Sequence, residues 1–217
     1  MIVTAVERQR YRKRVGVFVD GELTLTLGAE LAAERDVRPG RTITRSEIAA
    51  LADAEAKRGA LESALRLLAH RPRSEKELRD RLARKGFLGQ PIDEAIVRLR
   101  ELGYLNDAAF ARFWIDTRQT MRPRSQRLLT SELRWRGIEQ ELAVEVTADI
   151  SDDDAAYDAA SRRLGSLRGL EYQRFRERLG GFLTRRGFGY EIARRTIERC
   201  WAELAGEDGH EGGTHAP

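Results

Sequence analysis

Arginine carries the chemistry that residue type and spacing could do in this chain, and that chemistry is the recognition of negative charge. Between Arg118 and Arg136 stand six arginines (Arg118, Arg122, Arg124, Arg127, Arg134, Arg136) against one acid, Glu132. Between Arg162 and Arg186 eight basic residues face only Glu171 and Glu177. A third group, Arg8, Arg10, Arg12, Lys13 and Arg14, crowds the N-terminal stretch. Local excesses of this kind are an electrostatic footprint for phosphates or for an acidic protein surface. The formal net charge of +4 over 217 residues conceals them. With only four lysines present, part of the arginine content belongs to ordinary solvated helix faces. The missing acids single out the Arg118–Arg136 stretch as functional.

Catalytic chemistry has no comparable footing. Of the three histidines, His70 falls at a helix end and His210 and His215 lie near the C-terminus, none at ligand spacing to a cysteine or another histidine. No glycine-rich phosphate loop is present. Asp152–Asp154 reads as the acidic first turn of a helix and not as a metal site. Neither a metal nor another cofactor is expected, and neither is an enzyme. The single cysteine, Cys200, sits on an apolar helical face as a packing residue. With no secretory leader and no bilayer-length apolar run, it suggests a soluble protein of the reducing cytoplasm.

The elements that must position the arginines announce themselves by repetition. Leu78–Leu82–Gly86–Phe87 recurs as Leu129–Leu133–Gly137–Ile138 and as Leu179–Leu183–Gly187–Phe188, at offsets of 51 and 50 residues. A period near fifty residues signals a repeat architecture, in which units pack on neighbours and build a surface instead of a pocket. The two leucines are i,i+4 neighbours on one helical face. The glycine follows where a left-handed residue ends the helix, and the next apolar residue returns onto the second leucine in a Schellman cap. The basic residue before each glycine (Lys85, Arg136, Arg186) suits the negative end of the helix dipole, and a cation at an exposed cap can also meet a ligand.

Each repeat reads as three helices. Ser74 with Glu77 is a capping box. Ile92, Ile96 and Leu99 give the next helix a buried stripe, and Asn106 or Asp107 caps the helix carrying Phe110, Phe113 and Trp114. The aromatics Phe87, Phe110, Phe113, Trp114, Phe188 and Trp201 recur at core spacing. Ahead of the repeats, Val15, Val17 and Val19 alternate before Asp20-Gly21, and Leu23, Leu25 and Leu27 alternate after it, which predicts a β-hairpin. A short helix near Glu30–Arg35 follows, then a helix opening at Ser46-Glu47. The fold expected is all-α for most of the chain: tandem three-helix repeats in an elongated, curved array, behind a small N-terminal region with a β-hairpin. The expected divisions are residues 1–59 for that region, 60–107, 108–151 and 152–205 for the repeats, and 206–217 for a glycine-rich disordered tail.

The residues also resemble a known family. Leu67-Leu68, Arg71-x-Arg73-Ser74-x-x-Glu77-Leu78-x-x-x-Leu82-x-x-Lys85-Gly86-Phe87 and then Leu102-Gly103-Tyr104-Leu105-Asn106-Asp107-x-x-Phe110-Ala111 look like the signature of RecX regulatory proteins. Asn106 departs from the Asp-Asp pair usual in that family, but asparagine also caps helices. The resemblance implies a non-catalytic modulator that lies in the groove of the RecA–single-stranded DNA filament and curbs its ATP hydrolysis, strand exchange and extension; a monomer is expected. The contact residues expected are Arg71, Arg73, Lys85, Arg118, Arg122, Arg124, Arg127, Arg136 and Arg186. Arg71 and Arg73 come from the motif, and the others rest on local charge. Charge reversal at Arg124 and Arg127 is expected to weaken filament binding without lowering thermal stability. The alternative is a basic helical-repeat protein that competes for single-stranded DNA, with duplex DNA as a further ligand.

Overall fold

The computed structural model describes residues 1–9 and 13–211. Arg10 and Arg12 of the N-terminal basic group, and residues 212–217 of the expected tail, lie outside the described residues. The chain divides into two compact units, Met1–Leu105 and the segment from Asn106 onward.

The first unit opens with three antiparallel strands in sequence order, β1 (Val3–Arg8), β2 (Arg14–Val19) and β3 (Glu22–Gly28). The expected hairpin is β2–β3, and its Asp20-Gly21 turn has both residues at positive φ (51° and 91°). β1 was not foreseen, because Val3–Arg8 does not alternate cleanly. It is held by long-range bonds, Val3 N–H to Arg41 O at 2.9 Å and its ladder to β2. Val15, Val17, Val19 and Leu27 face the core, but Leu23 is 56% exposed. The β2–β3 register shifts between Val17 and Phe18, so Leu23 pairs with Phe18 and not with an inward valine. A one-residue slip of that kind exchanges faces.

Helices α1 (Ala29–Glu34), α2 (Arg45–Leu68), α3 (Glu75–Arg84) and α4 (Gln90–Glu101) complete the unit. α2 starts earlier than Ser46 suggested. Thr44 is the N-cap, accepting from Glu47 N–H at 3.2 Å, while Glu47 accepts from the Thr44 amide at 2.8 Å. Both reciprocal bonds of a capping box are thus closed at Thr44, two residues before the Ser46-Glu47 start that was expected. Running unbroken past residue 60, α2 turns Leu51 and Ala54 to the sheet core and Ala64 to a second core of Leu78, Leu82, Ile92, Ile96, Leu99 and Leu105.

The second unit contains α5 (Asp107–Met121), α6 (Gln126–Trp135), α7 (Gln140–Thr147), α8 (Asp152–Leu164), α9 (Tyr172–Arg185) and α10 (Tyr190–Glu211). Asn106 caps α5, its Oδ1 accepting from Ala109 N–H at 2.9 Å, so the departure from aspartate leaves the cap in place. Ser151 caps α8, with Asp152–Asp154 filling the first turn. α10 continues beyond Gly206, where the tail was expected to begin. Cys200 is fully buried in the core of Ala156, Ala160, Phe175, Leu179 and Leu183, and that burial pushes its thiol up to about 11.

The helix stops repeat as the spacing required. Gly86, Gly137 and Gly187 have φ of 92°, 88° and 88°. Phe87, Ile138 and Phe188 each donate their amide back to the matching leucine carbonyl, Leu82, Leu133 and Leu183, at 3.2, 3.0 and 3.3 Å. These are the 6→1 bonds of the Schellman motif, and the glycine amides supply the 5→2 bonds. Lys85, Arg136 and Arg186 are the C-cap residues. Among the described residues no helix is long and apolar enough to cross a membrane.

Candidate functional site

Positive charge gathers in the second unit where two helix connections meet. The α5–α6 connection reads Arg122-Pro123-Arg124-Ser125, and Gln119 clamps it. Its Oε1 accepts from the Arg124 amide at 3.1 Å and its Nε2 donates to the Arg124 carbonyl at 3.2 Å. Ser125, fully buried, caps α6 through Leu128 N–H at 3.2 Å. The α9–α10 turn docks here. Ser125 N–H donates to the Arg186 carbonyl at 3.0 Å, and the Arg186 guanidinium donates to the Pro123 carbonyl at 3.0 Å. From α8, Arg162 donates to the Thr120 carbonyl at 2.6 Å. Bonds spanning 63 and 42 residues thus bring Arg118, Arg122, Arg124, Arg162, Arg163 and Arg186 to one junction.

One carboxylate serves this group among the described residues. Glu132 on α6 accepts from Trp114 Nε1 at 2.9 Å and from Arg118 Nε at 3.2 Å, and it pairs with Arg124. The Trp114 ring is faced by two guanidinium groups, Arg136 at 3.6 Å and Arg118 at 4.1 Å from its centroid. Arg163 and Arg186 lie over the Phe182 ring at 5.1 and 4.4 Å. One acid does not neutralise the group. Burial first, then the charge of Arg122, holds the Arg118 guanidinium below the ordinary arginine range. Burial, then Arg118, Arg186 and Arg122, does the same to Arg124. For Arg186 the causes are burial, then Arg122, Arg163 and Arg162. More exposed arginines paired on other helices behave oppositely, Asp93 raising Arg79 and Glu191 raising Arg194, whereas burial, then Arg71, lowers the paired Arg73 as well. An anion at the junction would relieve the repulsion, and the exposed Arg122 is placed to meet it first.

The same tetrapeptide stands in the first unit as Arg71-Pro72-Arg73-Ser74, 51 residues earlier. This second register of the repeat is legible in the sequence, although the leucine–glycine pattern draws attention away from it. Its surroundings differ. Arg71 (2.6 Å), Arg73 and Arg81 (3.1 Å) all converge on Glu77 Oε1. Burial alone would raise the Glu77 carboxyl, but Arg71, Arg73 and Arg81 hold it below the usual carboxylate range. Arg73 is only 7% exposed and donates to the Leu67 carbonyl at 3.0 Å. Its guanidinium is therefore engaged in tying α2 to α3. Ser74 caps α3 at Glu77 N–H, while Glu77 Oε1 is taken by these arginines.

The remaining expected residues separate clearly. Lys85 is exposed and lines a cleft of about 790 Å³ in the first unit, with Lys13, Arg14, Arg58, Glu55 and Glu62. Arg127 is exposed on α6 and stands outside the Glu132 group. Arg124 is half-buried on Glu132, so reversing its charge would set two carboxylates together. The expectation that reversal there spares stability is corrected on that ground; it fits Arg122 and Arg127. Trp135, which is not one of the aromatics at core spacing, is 75% exposed beside Arg136.

Three family profiles match along the chain: "RecX, first three-helix domain" at residues 60–99, the second at 106–146 and the third at 151–197. The chain belongs to the RecX family. Regulatory protein RecX of Amycolatopsis mediterranei is 35% identical over 144 residues, 65% of this chain and 82% of the relative. The Streptomyces lividans RecX is 34% identical over 147 residues, covering 66% and 78%. The Listeria welshimeri RecX is 25% identical over 208 residues, covering 94% and 77%. A crystal structure of regulatory protein RecX shares the fold with a TM-score of 0.64 at 18% identity, covering 91% of this chain and 98% of that one. RecX from Lactobacillus salivarius aligns at 0.58 and 21% identity, covering 68% and 97%. The three RecX helical domains coincide with the three Schellman-stopped repeats, and the arginine junction belongs to the second and third.

Proposed function

We propose that this RecX protein is a non-catalytic, monomeric cytoplasmic regulator that binds the RecA–single-stranded DNA filament and inhibits its ATP hydrolysis, strand exchange and extension. The supporting observation is the arginine junction, where six arginines meet at the α5–α6 and α9–α10 connections, Glu132 pairs with only Arg118 and Arg124, and burial and mutual repulsion act on Arg118, Arg124 and Arg186. Arg118, Arg122, Arg124, Arg136 and Arg186 form the filament-facing group. Arg127, Arg71 and Lys85 add exposed charge, and Arg73 acts through the fold. Three repeats, at residues 60–107, 108–151 and 152–205, let one molecule engage several charges along a filament, so each bound molecule would block more than one recombinase step.

The test is ATP hydrolysis by preformed RecA–single-stranded DNA filaments, with the protein added well below the recombinase concentration at physiological salt. Loss of turnover at substoichiometric ratios supports the reading. If inhibition appears only when free DNA is being titrated, and falls steeply with salt, the protein competes for single strands instead.

A further inference from the structure

The last helical residue before each Schellman stop is Arg84 in α3, Trp135 in α6 and Arg185 in α9. Two of the three repeats put a charged residue at this exposed position, so the fold does not require an aromatic there. The second repeat nevertheless holds an indole with three quarters of its surface in solvent. Trp135 is not packed into the neighbouring core, which takes Trp114 instead. It stands at the rim of the arginine junction. The Arg136 guanidinium lies 3.6 Å from the Trp114 centroid and 5.8 Å from that of Trp135. Trp114 in turn shares Glu132 with Arg118. A large π-surface and a strongly cationic surface are thereby adjacent.

We propose that Trp135 is a base-stacking platform for single-stranded nucleic acid whose phosphates are taken by Arg118, Arg122 and Arg136. This deepens the proposed function and rests on its placement of DNA at the arginine junction. Phosphate contacts alone would accept duplex and single strand alike. An indole can stack only on a base that has left its partner, and it accepts any base because every base has a π-face. The combination selects unpaired strands without selecting sequence.

The experiment measures anisotropy of a fluorescein-labelled oligothymidylate, and of an abasic phosphodiester of equal length, titrated with full-length wild type, Trp135→Ala and Trp135→Phe. Melting curves serve as the control for folding. Trp135→Ala should lose about tenfold or more in affinity for oligothymidylate and leave abasic binding unchanged, while Trp135→Phe retains most of the affinity. Equal affinity of folded Trp135→Ala and wild type overturns the proposal, as does an equal loss on the abasic strand, which would point to a protein-facing or purely electrostatic role. RecA filament turnover measured on the same samples keeps the two readings apart. Inhibition by wild type without Trp135-dependent oligomer binding sinks the stacking role alone. Trp135-dependent binding without any effect on RecA sustains stacking and sinks the regulatory function.

Discussion

Gly187→Ala should damage the second unit far more than its backbone angle alone requires. Gly187 and Gly169 both have positive φ, 88° and 72°, in the same unit. A Cβ on Gly169 would meet no atom within 4 Å. On Gly187 it would overlap Ser125 Oγ and lie 2.7 Å from Leu128 Cβ. Neither neighbour can yield cheaply, since Ser125 Oγ caps α6 through the Leu128 amide. The left-handed conformation costs alanine about 1 kcal/mol at either site. At Gly187 the overlap adds roughly 1–3 kcal/mol as overpacking, and displacing the Ser125 cap about 1 kcal/mol more. The assay is urea unfolding followed by tryptophan fluorescence, because Trp114, Trp135 and Trp201 all lie in this unit. At an m-value of about 2 kcal/mol/M, Gly169→Ala should lower the midpoint by about 0.5 M and Gly187→Ala by about 1.5–2.5 M. Equal midpoints for the two variants would refute the docking of the α9–α10 turn on the start of α6, and with it the junction that gathers the arginines.

Two further outcomes follow from buried groups. Glu77 has its folded carboxyl below the usual range, so it contributes stability that is complete above its unfolded value of about 4.3 and is lost as pH falls through the folded one. In Glu77→Gln the urea midpoint of the first unit, followed by circular dichroism, should be lower at neutral pH and flatter below about pH 4; an unchanged acid limb would count against the three-arginine pairing. Cys200, buried with its thiol pushed up to about 11, should react with a disulfide reagent at pH 8 only as fast as the second unit unfolds. Rapid labelling in native buffer would contradict its burial.

What was legible in the sequence is what is local. The Schellman stops depend on a glycine, the leucine four residues before it and the residue after it, so Leu78–Phe87 and its two copies disclosed their geometry directly. The Asp20-Gly21 turn and the Asn106 cap were readable for the same reason. β1 was not, because its pairing with β2 and its bond to Arg41 arise only in the folded unit. The Thr44 cap was masked by Ser46, an equally good capping residue two positions later. The charge excess around Arg118–Arg136 was visible, but its form was not. Arg186 reaches Pro123 across 63 residues, and Arg162 reaches Thr120 across 42. Charge alone also makes Arg73 and Arg122 look alike, although one is buried against Glu77 and the other exposed. Trp135 stands two positions past Leu133 and so off the buried leucine face, but that spacing does not show that its indole lies beside Arg136, which also faces Trp114.

The central claim, that the arginine junction is how this RecX protein engages the filament, is tested most directly with Arg122→Glu/Arg127→Glu. Both residues are exposed and neither pairs with Glu132, and a carboxylate at 122 relieves the repulsion on Arg118, Arg124 and Arg186, so the variant should melt no lower than the wild type. The measurement is its binding to preformed RecA–single-stranded DNA filaments across a salt series, with ATP turnover read on the same samples. Binding should weaken, with the salt slope reduced by about 0.7 for each single-strand phosphate that is no longer neutralised, and substoichiometric inhibition should disappear. A folded double variant that binds and inhibits as the wild type does would contradict the account.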